Sequence, residues 1–431
     1  MPKNVMVAQS GGPSPVINSS LRGVIEGCRA HSSSFGRILA AWHGIEGVLK
    51  EEILDISDEP EEEIRLLSTT PAAGVIGTCR YKLRADQRED FDRILEVFRA
   101  HDIGFFFYIG GNDSMDTAYK VSRLAADRSM ELVATGVPKT IDNDIGDPEF
   151  RLLDHTPGYG SVARYWAYAV QNANEENAGA CTSDPVLVMQ VMGRRCGFIP
   201  AAARLADPER AMPLQIYMPE SALTLDDMTE LVNEELTRSG RCIVVVSEGF
   251  DVGSLGERYD SFGHIDYAGS DNSVMQVVIS HLNRRGLRVR GRAGGNLPGM
   301  DQRDTAIYAS VVDIQEAYEV GLHAVTIALR DGTGWMATIL RKPGPRYEPF
   351  YDKVPLEKVA NSERSFPKEW LAPSRIDVTD DFIRYARPLI GDEWPRIPLE
   401  NGLQRFARFQ RRFVSRRCKP YTPQALRQAR H

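Results

Sequence analysis

Up to Gly249 the chain keeps repeating one pattern: a short apolar run, a turn marked by glycine and polar side chains, then residues at helical spacing. The apolar runs are Val5–Ala8, Ile38–Ala41, Ile103–Ile109, Leu132–Ala134, Val186–Met192 and Cys242–Val246. Strands buried on both faces read this way, and their alternation with helices predicts an α/β chain built on doubly wound, mainly parallel sheets. In that architecture ligands bind outside the carboxyl ends of the strands. The polar clusters fall where a site would form.

The densest cluster is Gly136-Val137-Pro138-Lys139-Thr140-Ile141-Asp142-Asn143-Asp144. Gly136 and Pro138 are expected to stop the preceding strand and set a loop. Two carboxylates beside a lysine at a strand end suit a site that handles protons and phosphate charge together. Taken alone, the stretch reads first as an Asx-rich surface turn.

Other clusters have the same character. Ser10-Gly11-Gly12 leads into Ser14, a predicted N-cap, and Pro15, a predicted first helical residue. Free backbone amides there would face an anion, although a plain strand-to-helix turn has the same signature. The G-x-G-x-x-G dinucleotide fingerprint is absent. Gly77-Thr78-Cys79-Arg80 brings cations, and Gly110-Gly111-Asn112-Asp113-Ser114 follows the longest run. Helices are expected from about Ser161 to Asn174 and from Asp304 to Val320. Arg288, Arg290 and Arg292 sit in a glycine-rich loop that suits a flexible lid or a phosphate contact. Residues 341–375, rich in proline and charge, are expected to run extended over the surface. Leu403 to Arg417, with Phe406, Phe409 and Phe413 among arginines, predicts a basic helix lying on the chain's own acidic domain.

At 431 residues the chain needs more than one core. The expected division is 1–155 and 156–302 as two α/β domains, 303–340 returning across them, and 341–431 as a C-terminal extension. A net charge of −7 gives no global field for nucleic acid or an anionic membrane. No apolar run approaches the roughly 20 residues of a membrane-spanning helix. Met1-Pro2-Lys3-Asn4 leads directly into a strand without a signal-peptide layout. The six cysteines show no C-x-x-C spacing, so the expected compartment is the reducing cytoplasm.

Taken together the clusters supply what phosphoryl transfer needs: cations and amides for the moving group, oxygen ligands for a metal, and a carboxylate base. Neither a G-x-x-x-x-G-K-[ST] P-loop nor the H-R-D and D-F-G motifs of protein kinases occur. The ordered set Ser10-Gly11-Gly12, Gly77 to Arg80, Gly110 to Ser114, Pro138 to Asp144, Met192-Gly193-Arg194, Ser247-Glu248-Gly249 and Gln302-Arg303 resembles the phosphofructokinase superfamily, and more closely its pyrophosphate-dependent branch. The likeness spans roughly residues 4 to 330.

The resemblance implies roles. Asp142 would be the base for the sugar's 1-hydroxyl, with Thr140 a substrate contact and Asp144 a supporting carboxylate. Met192, Gly193, Arg194, Glu248 and Arg303 would cradle fructose 6-phosphate, while Gly11, Gly12 and Arg80 would contact the donor phosphate. Mg2+ would be held at Asn112 and Asp113, although Asn112 replaces the usual aspartate. Asp113 and Lys139 stand where ATP users of the family carry glycine, which implies pyrophosphate as donor. A carboxylate at an α-phosphate position repels it by about 4 kcal/mol at 4 Å and an effective dielectric of 20. Small-molecule substrates and a homodimer or homotetramer are further expectations. The alternatives are an ATP-dependent enzyme and a catalytically silent sugar-phosphate-binding subunit.

Overall fold

The computed structural model describes residues 2–256, 258–259, 265–267, 269–360 and 362–428. In it the chain is a mixed α/β protein with two main sheets, as the strand pattern predicts. The strands of these sheets, in chain order, are β1 (Asn4–Gln9), β2 (Ile38–Ala41), β3 (Ile53–Asp55), β4 (Ile103–Gly110), β5 (Val133–Pro138), β6 (Val186–Val191), β7 (Leu214–Tyr217), β8 (Cys242–Ser247), β9 (Ala293–Asn296), β10 (Trp335–Arg341) and β11 (Pro349–Pro355).

The first sheet runs β11-β10-β5-β4-β1-β2-β3. Its centre is parallel, and β3 and β11 close the edges antiparallel. The second sheet runs β7-β8-β6-β9, all parallel. The apolar runs fill the cores: Val5, Met6, Val7, Phe106, Phe107 and Ile109 are fully buried, as are Val188, Val244 and Val246. Parallel strands covered on both faces have no solvent side to make polar, which is why these runs lack alternation.

Helix Ile17–Ala30 lies against helix Val311–Arg330, and glycine permits the close approach. A Cβ on Gly23 would sit 2.1 Å from the Tyr318 carbonyl oxygen, and one on Gly321 would sit 2.2 Å from that of Ser20. This crossing brings the late part of the chain back onto the first sheet. Among the described residues no helix is long and apolar enough to cross a membrane.

Several local expectations need correction. Strand β5 does not stop at Gly136 but runs through it to Pro138, pairing Tyr108 with Gly136 and Gly110 with Pro138. Gly136 is there because a Cβ would meet the Met115 sulfur at 2.4 Å. Proline is tolerated at the strand's last residue, and the ladder hydrogen bond passes to the Lys139 N–H, which donates to Gly110 O at 2.9 Å. The first helix starts at Ile17 with Val16, not Ser14, at its N-cap; valine has no side-chain acceptor, so the end goes uncapped, and Ser14 and Pro15 lie before the helix. The helix expected over Asp304–Val320 is broken into short turns at Asp301–Asp304 and Ala306–Tyr308. The long helix begins only at Val311, capped by the Ser310 side chain.

Residues 341–375 are a surface excursion only in part: most are exposed or half-buried, but some are drawn into the core. They form β11 and then turn inward, leaving Arg364 1% exposed. The stretch 405–417 lies on the chain's own first sheet, where Phe413 pairs with Leu54, but it is extended rather than helical. Its backbone donors go to buried acids instead of to its own carbonyls: Gln410 N to Glu59 at 3.0 Å and Arg417 N to Glu51 at 2.5 Å.

Candidate active site

A pocket of about 250 Å³ lies where turns from both sheets meet. The first sheet contributes Gly11 and Gly12 after β1, Asn112 and Asp113 after β4, and Lys139, Thr140, Asp142 and Asp144 after β5; Arg80 and Lys82 come from the loop beside them. The second contributes Met192 and Arg194 after β6 and Glu248 after β8, with Arg303 arriving from the turn Asp301–Asp304. Of the residues to which the resemblance assigns roles, Gly193 alone lies outside this wall. It lines an adjoining cavity of about 340 Å³ that shares Asp144 and Arg194. Arg288, Arg290 and Arg292 line neither; Arg288 pairs with Glu230 and Arg292 with Asp184.

Lys139 is 3% exposed, and its Nζ donates to the Gly12 carbonyl oxygen at 2.6 Å. Burial lowers its pKa to about 7; Asp142 opposes that shift, while Arg194, Arg303 and Arg80 add to it. The Thr140 hydroxyl accepts from the Asp142 N–H at 3.2 Å, and the Thr140 carbonyl accepts from Thr156 Oγ1 at 2.8 Å. Asn143 then takes a left-handed backbone, φ 59°, which asparagine tolerates better than most residues. This conformation lets two carboxylates two residues apart line one wall. Burial and the neighbouring Asp142 charge both raise the Asp144 pKa.

The second-sheet half is shaped by backbone. Arg194 has φ 50°, and its carbonyl oxygen would be 1.7 Å from a Cβ on Gly249, so only glycine fits there. The Arg194 N–H donates to Glu248 Oε1 at 3.0 Å. Burial and Asp142 push Glu248 up to about 7 against that hydrogen bond. Gln302 Oε1 accepts from Met192 N at 3.1 Å and from Trp166 Nε1 at 2.9 Å, locking the turn after β6. The halves touch where Arg194 Nε lies 3.6 Å from Asp142 Oδ2. The Arg303 guanidinium reaches across to the β1 turn, its Nη1 lying 3.0 Å from where a Cβ on Gly12 would stand. Its buried Nε has no hydrogen-bond partner among the described residues.

Asp113 pairs with Lys82 at 2.7 Å. Asn112 Nδ2 donates to Ser362 O, which leaves Oδ1 buried and without a hydrogen-bond partner among the described residues. Among the described residues no three His, Cys, Asp or Glu side chains form a metal cage. Such a donor set fits Mg2+, which takes one or two protein oxygens and completes its shell with phosphate and water. It does not fit an ion that needs an all-protein cage.

Sequence reasoning missed Tyr267 and Glu363, both in the pocket wall, Arg364, which lines the adjoining cavity, and Ser362 behind them. The segment around 362–366 carries only the charge and serine content of a solvated loop. No sequence signal marked it.

The phosphofructokinase family model matches residues 4–327 of the chain. The pyrophosphate–fructose 6-phosphate 1-phosphotransferase of Halomonas elongata is 38% identical over 428 residues, covering 97% of this chain and 99% of the relative. That of Xanthomonas campestris pv. campestris is 38% identical over 414 residues, covering 94% and 95%. Among solved structures, the pyrophosphate-dependent phosphofructokinase of Marinobacter aquaeolei superposes with a TM-score of 0.86 at 35% identity, covering 97% of this chain and 99% of that one. The corresponding protein from Nitrosospira multiformis gives 0.87 at 36% identity, covering 97% and 100%.

Proposed function

The chain belongs to the phosphofructokinase family, and on that premise we propose that it moves a phosphoryl group from pyrophosphate to the 1-hydroxyl of fructose 6-phosphate, giving fructose 1,6-bisphosphate and phosphate. The observation that carries the choice of donor is the pair Asp113 and Lys139 in one pocket wall. Asp113 fills and charges the space a nucleotide's α-phosphate would need. Lys139, fixed to Gly12 O, puts an ammonium beside the turn that would hold the donor.

In this reading Asp142 accepts the proton of the 1-hydroxyl as that oxygen attacks phosphorus, and the bridging P–O bond breaks. Lys139 and Arg80 stabilise the departing phosphate, a task for charges already in place. The Gly11 and Gly12 backbone lets the donor approach closely. Thr140 and Asp144 hold the sugar's reacting end and the local charge. Met192, Gly193, Arg194, Glu248 and Arg303 cradle the sugar phosphate. Asn112 and Asp113 would hold Mg2+, which supplies charge neutralisation on the phosphate oxygens. The same reading gives small-molecule substrates, no nucleic acid, a cytoplasmic location and a homodimer or homotetramer.

The test is initial rate with pyrophosphate and with ATP at equal Mg2+ and saturating fructose 6-phosphate. Pyrophosphate should support turnover at least about 10²-fold faster, as two unfavourable charge and space effects would give. Comparable or faster rates with ATP would remove the reading.

A further inference from the structure

Arg364 comes from a stretch after β11 that lies outside the matched family region, yet its side chain is among the most buried in the protein. A buried guanidinium is costly unless its donors are met. Here Nε and Nη2 donate to the Asn143 carbonyl oxygen at 3.1 and 2.9 Å, and Nη2 also reaches Asn143 Oδ1 at 2.8 Å. Nη1 donates to the carbonyl oxygens of Leu153 at 2.7 Å and Asp154 at 3.2 Å. The Arg364 backbone N–H donates to Asp144 O at 2.6 Å. Successive carbonyls of the turn that carries Asp142 and Asp144 therefore both end on one residue. The guanidinium lies against two apolar rings set at right angles, 4.3 Å from the Phe150 centroid and 5.4 Å from that of Phe198.

The same short segment is fastened at its other end to the second sheet. The Arg364 carbonyl accepts from Cys196 Sγ at 3.3 Å. The Phe366 N–H and the Gly197 N–H share Glu220 Oε1, at 3.4 and 3.1 Å. Phe366 is buried in the core formed by the helix Tyr159–Ala180 and the second sheet. Residues 364–366 thus tie the turn after β5 to the turn after β6, the two turns across which Asp142 faces Arg194.

We propose that Arg364 is a positioning residue for the phosphoryl-transfer step, holding the Asp142-Asn143-Asp144 turn at the register and distance from the β6 turn that the base requires. The proposal rests on Asp142 being that base. Arg364 touches no pocket-facing atom of Asp142, so it acts through the backbone. Its loss displaces the base; because Arg364 also lines the adjoining cavity with Gly193 and Arg194, the split between kcat and KM separates that displacement from a lost contact. A shift of about 1 Å in a reacting group costs about 10²-fold in rate.

The experiment uses the full chain and a cycle of Arg364→Lys, Arg364→Gln, Asp142→Asn and the double variant Arg364→Gln/Asp142→Asn, with kcat, both KM values and the thermal midpoint of each. Lysine keeps the charge but cannot fork to three carbonyls, so kcat should fall about 10- to 100-fold while both KM values stay within about threefold. Once the base is gone its position no longer matters, so Arg364→Gln should lower kcat less than about threefold in the Asp142→Asn background. Equal loss in both backgrounds, or a rise in KM without a fall in kcat, overturns the proposal and leaves the base assignment standing. Near-native turnover in Asp142→Asn overturns the base assignment and this proposal with it. If neither Arg364 variant folds, Arg364 is a folding residue and the proposal falls.

Discussion

The ammonium of Lys139, at the end of β5, donates to the carbonyl oxygen of Gly12, in the turn after β1, at 2.6 Å. These strands are not neighbours, since β4 lies between them. The contact therefore spans the sheet's carboxyl edge and joins the turns after β5 and β1 on one side of the pocket.

Because burial brings Lys139 down to about 7, its charge is half lost near neutrality in the ligand-free protein. Apparent KM for pyrophosphate should rise as pH goes from 7 to 9, and Lys139→Gln, measured alongside, should lack that rise. Stability moves the other way. The unfolded lysine holds its proton up to its ordinary value of 10.5, so between about 7 and 10.5 the unfolded state binds more protons and stability gains with pH. The thermal midpoint of the native protein relative to Lys139→Gln should climb through that window; a flat difference would mean the lysine is solvated.

Asp142→Asn keeps the shape of the side chain and its neighbours but removes the proton acceptor. The expected fall in kcat is about 10²–10⁴-fold. KM for fructose 6-phosphate should change little, because the loss is confined to the transition state.

Donor choice should respond to Asp113 and Lys139 as a pair. Asp113→Gly opens space but frees Lys82, its partner at 2.7 Å, to occupy it. Lys139→Gly mainly lowers turnover with pyrophosphate. The double change should raise the ATP-to-pyrophosphate ratio of kcat/KM by more than the single effects combined, since groups sharing a site couple. A flat ratio across the four proteins would separate these residues from donor choice.

Arg303→Ala tests which substrate this guanidinium serves. A charge-assisted grip on the 6-phosphate predicts that KM for fructose 6-phosphate rises more than KM for pyrophosphate. Since Nη1 also approaches the Gly12 turn, a larger rise for pyrophosphate would place Arg303 with the donor.

Removing residues 405–431 should leave acids stranded. Glu51, 2% exposed, would lose the N–H groups of Arg417 and Cys418, and Glu59, also 2% exposed, would lose that of Gln410. Breaking buried charge contacts of this kind costs about 3–5 kcal/mol. Denaturant unfolding of the shortened chain is the measurement, and His101, which keeps its 2.7 Å contact with Glu51, limits the loss.

The strands and their polar turns were legible because a strand covered on both faces must be apolar and its end must be marked. Ile103–Ile109 was displaced from the observed strand by a single residue. The pocket wall was legible for the same reason: each contributing turn follows a readable strand. Arg364 was not legible, since its acceptor Asn143 lies 221 residues earlier and the sequence around it reads as solvated. The tail misled in a different way. Phe406, Phe409 and Phe413 have helical spacing, but buried acids far away in sequence outcompete the helix for its backbone donors, and spacing carries no record of that. Ser310 caps the long helix, which therefore starts seven residues after the expected Asp304.

The late arrival of β10 and β11 has a consequence for how the protein is made. All four strands of the second sheet have left the ribosome once residue 296 is through, whereas the outer edge of β5 waits until residue 341 for its neighbour. That is about 200 residues of translation after β5 itself, or roughly 10–40 s at 5–20 residues per second. Through that interval the strand leading into Lys139 and Asp142 is a bare edge on a nascent chain, open to any passing strand or chaperone. The first sheet to be started is the last to be sealed.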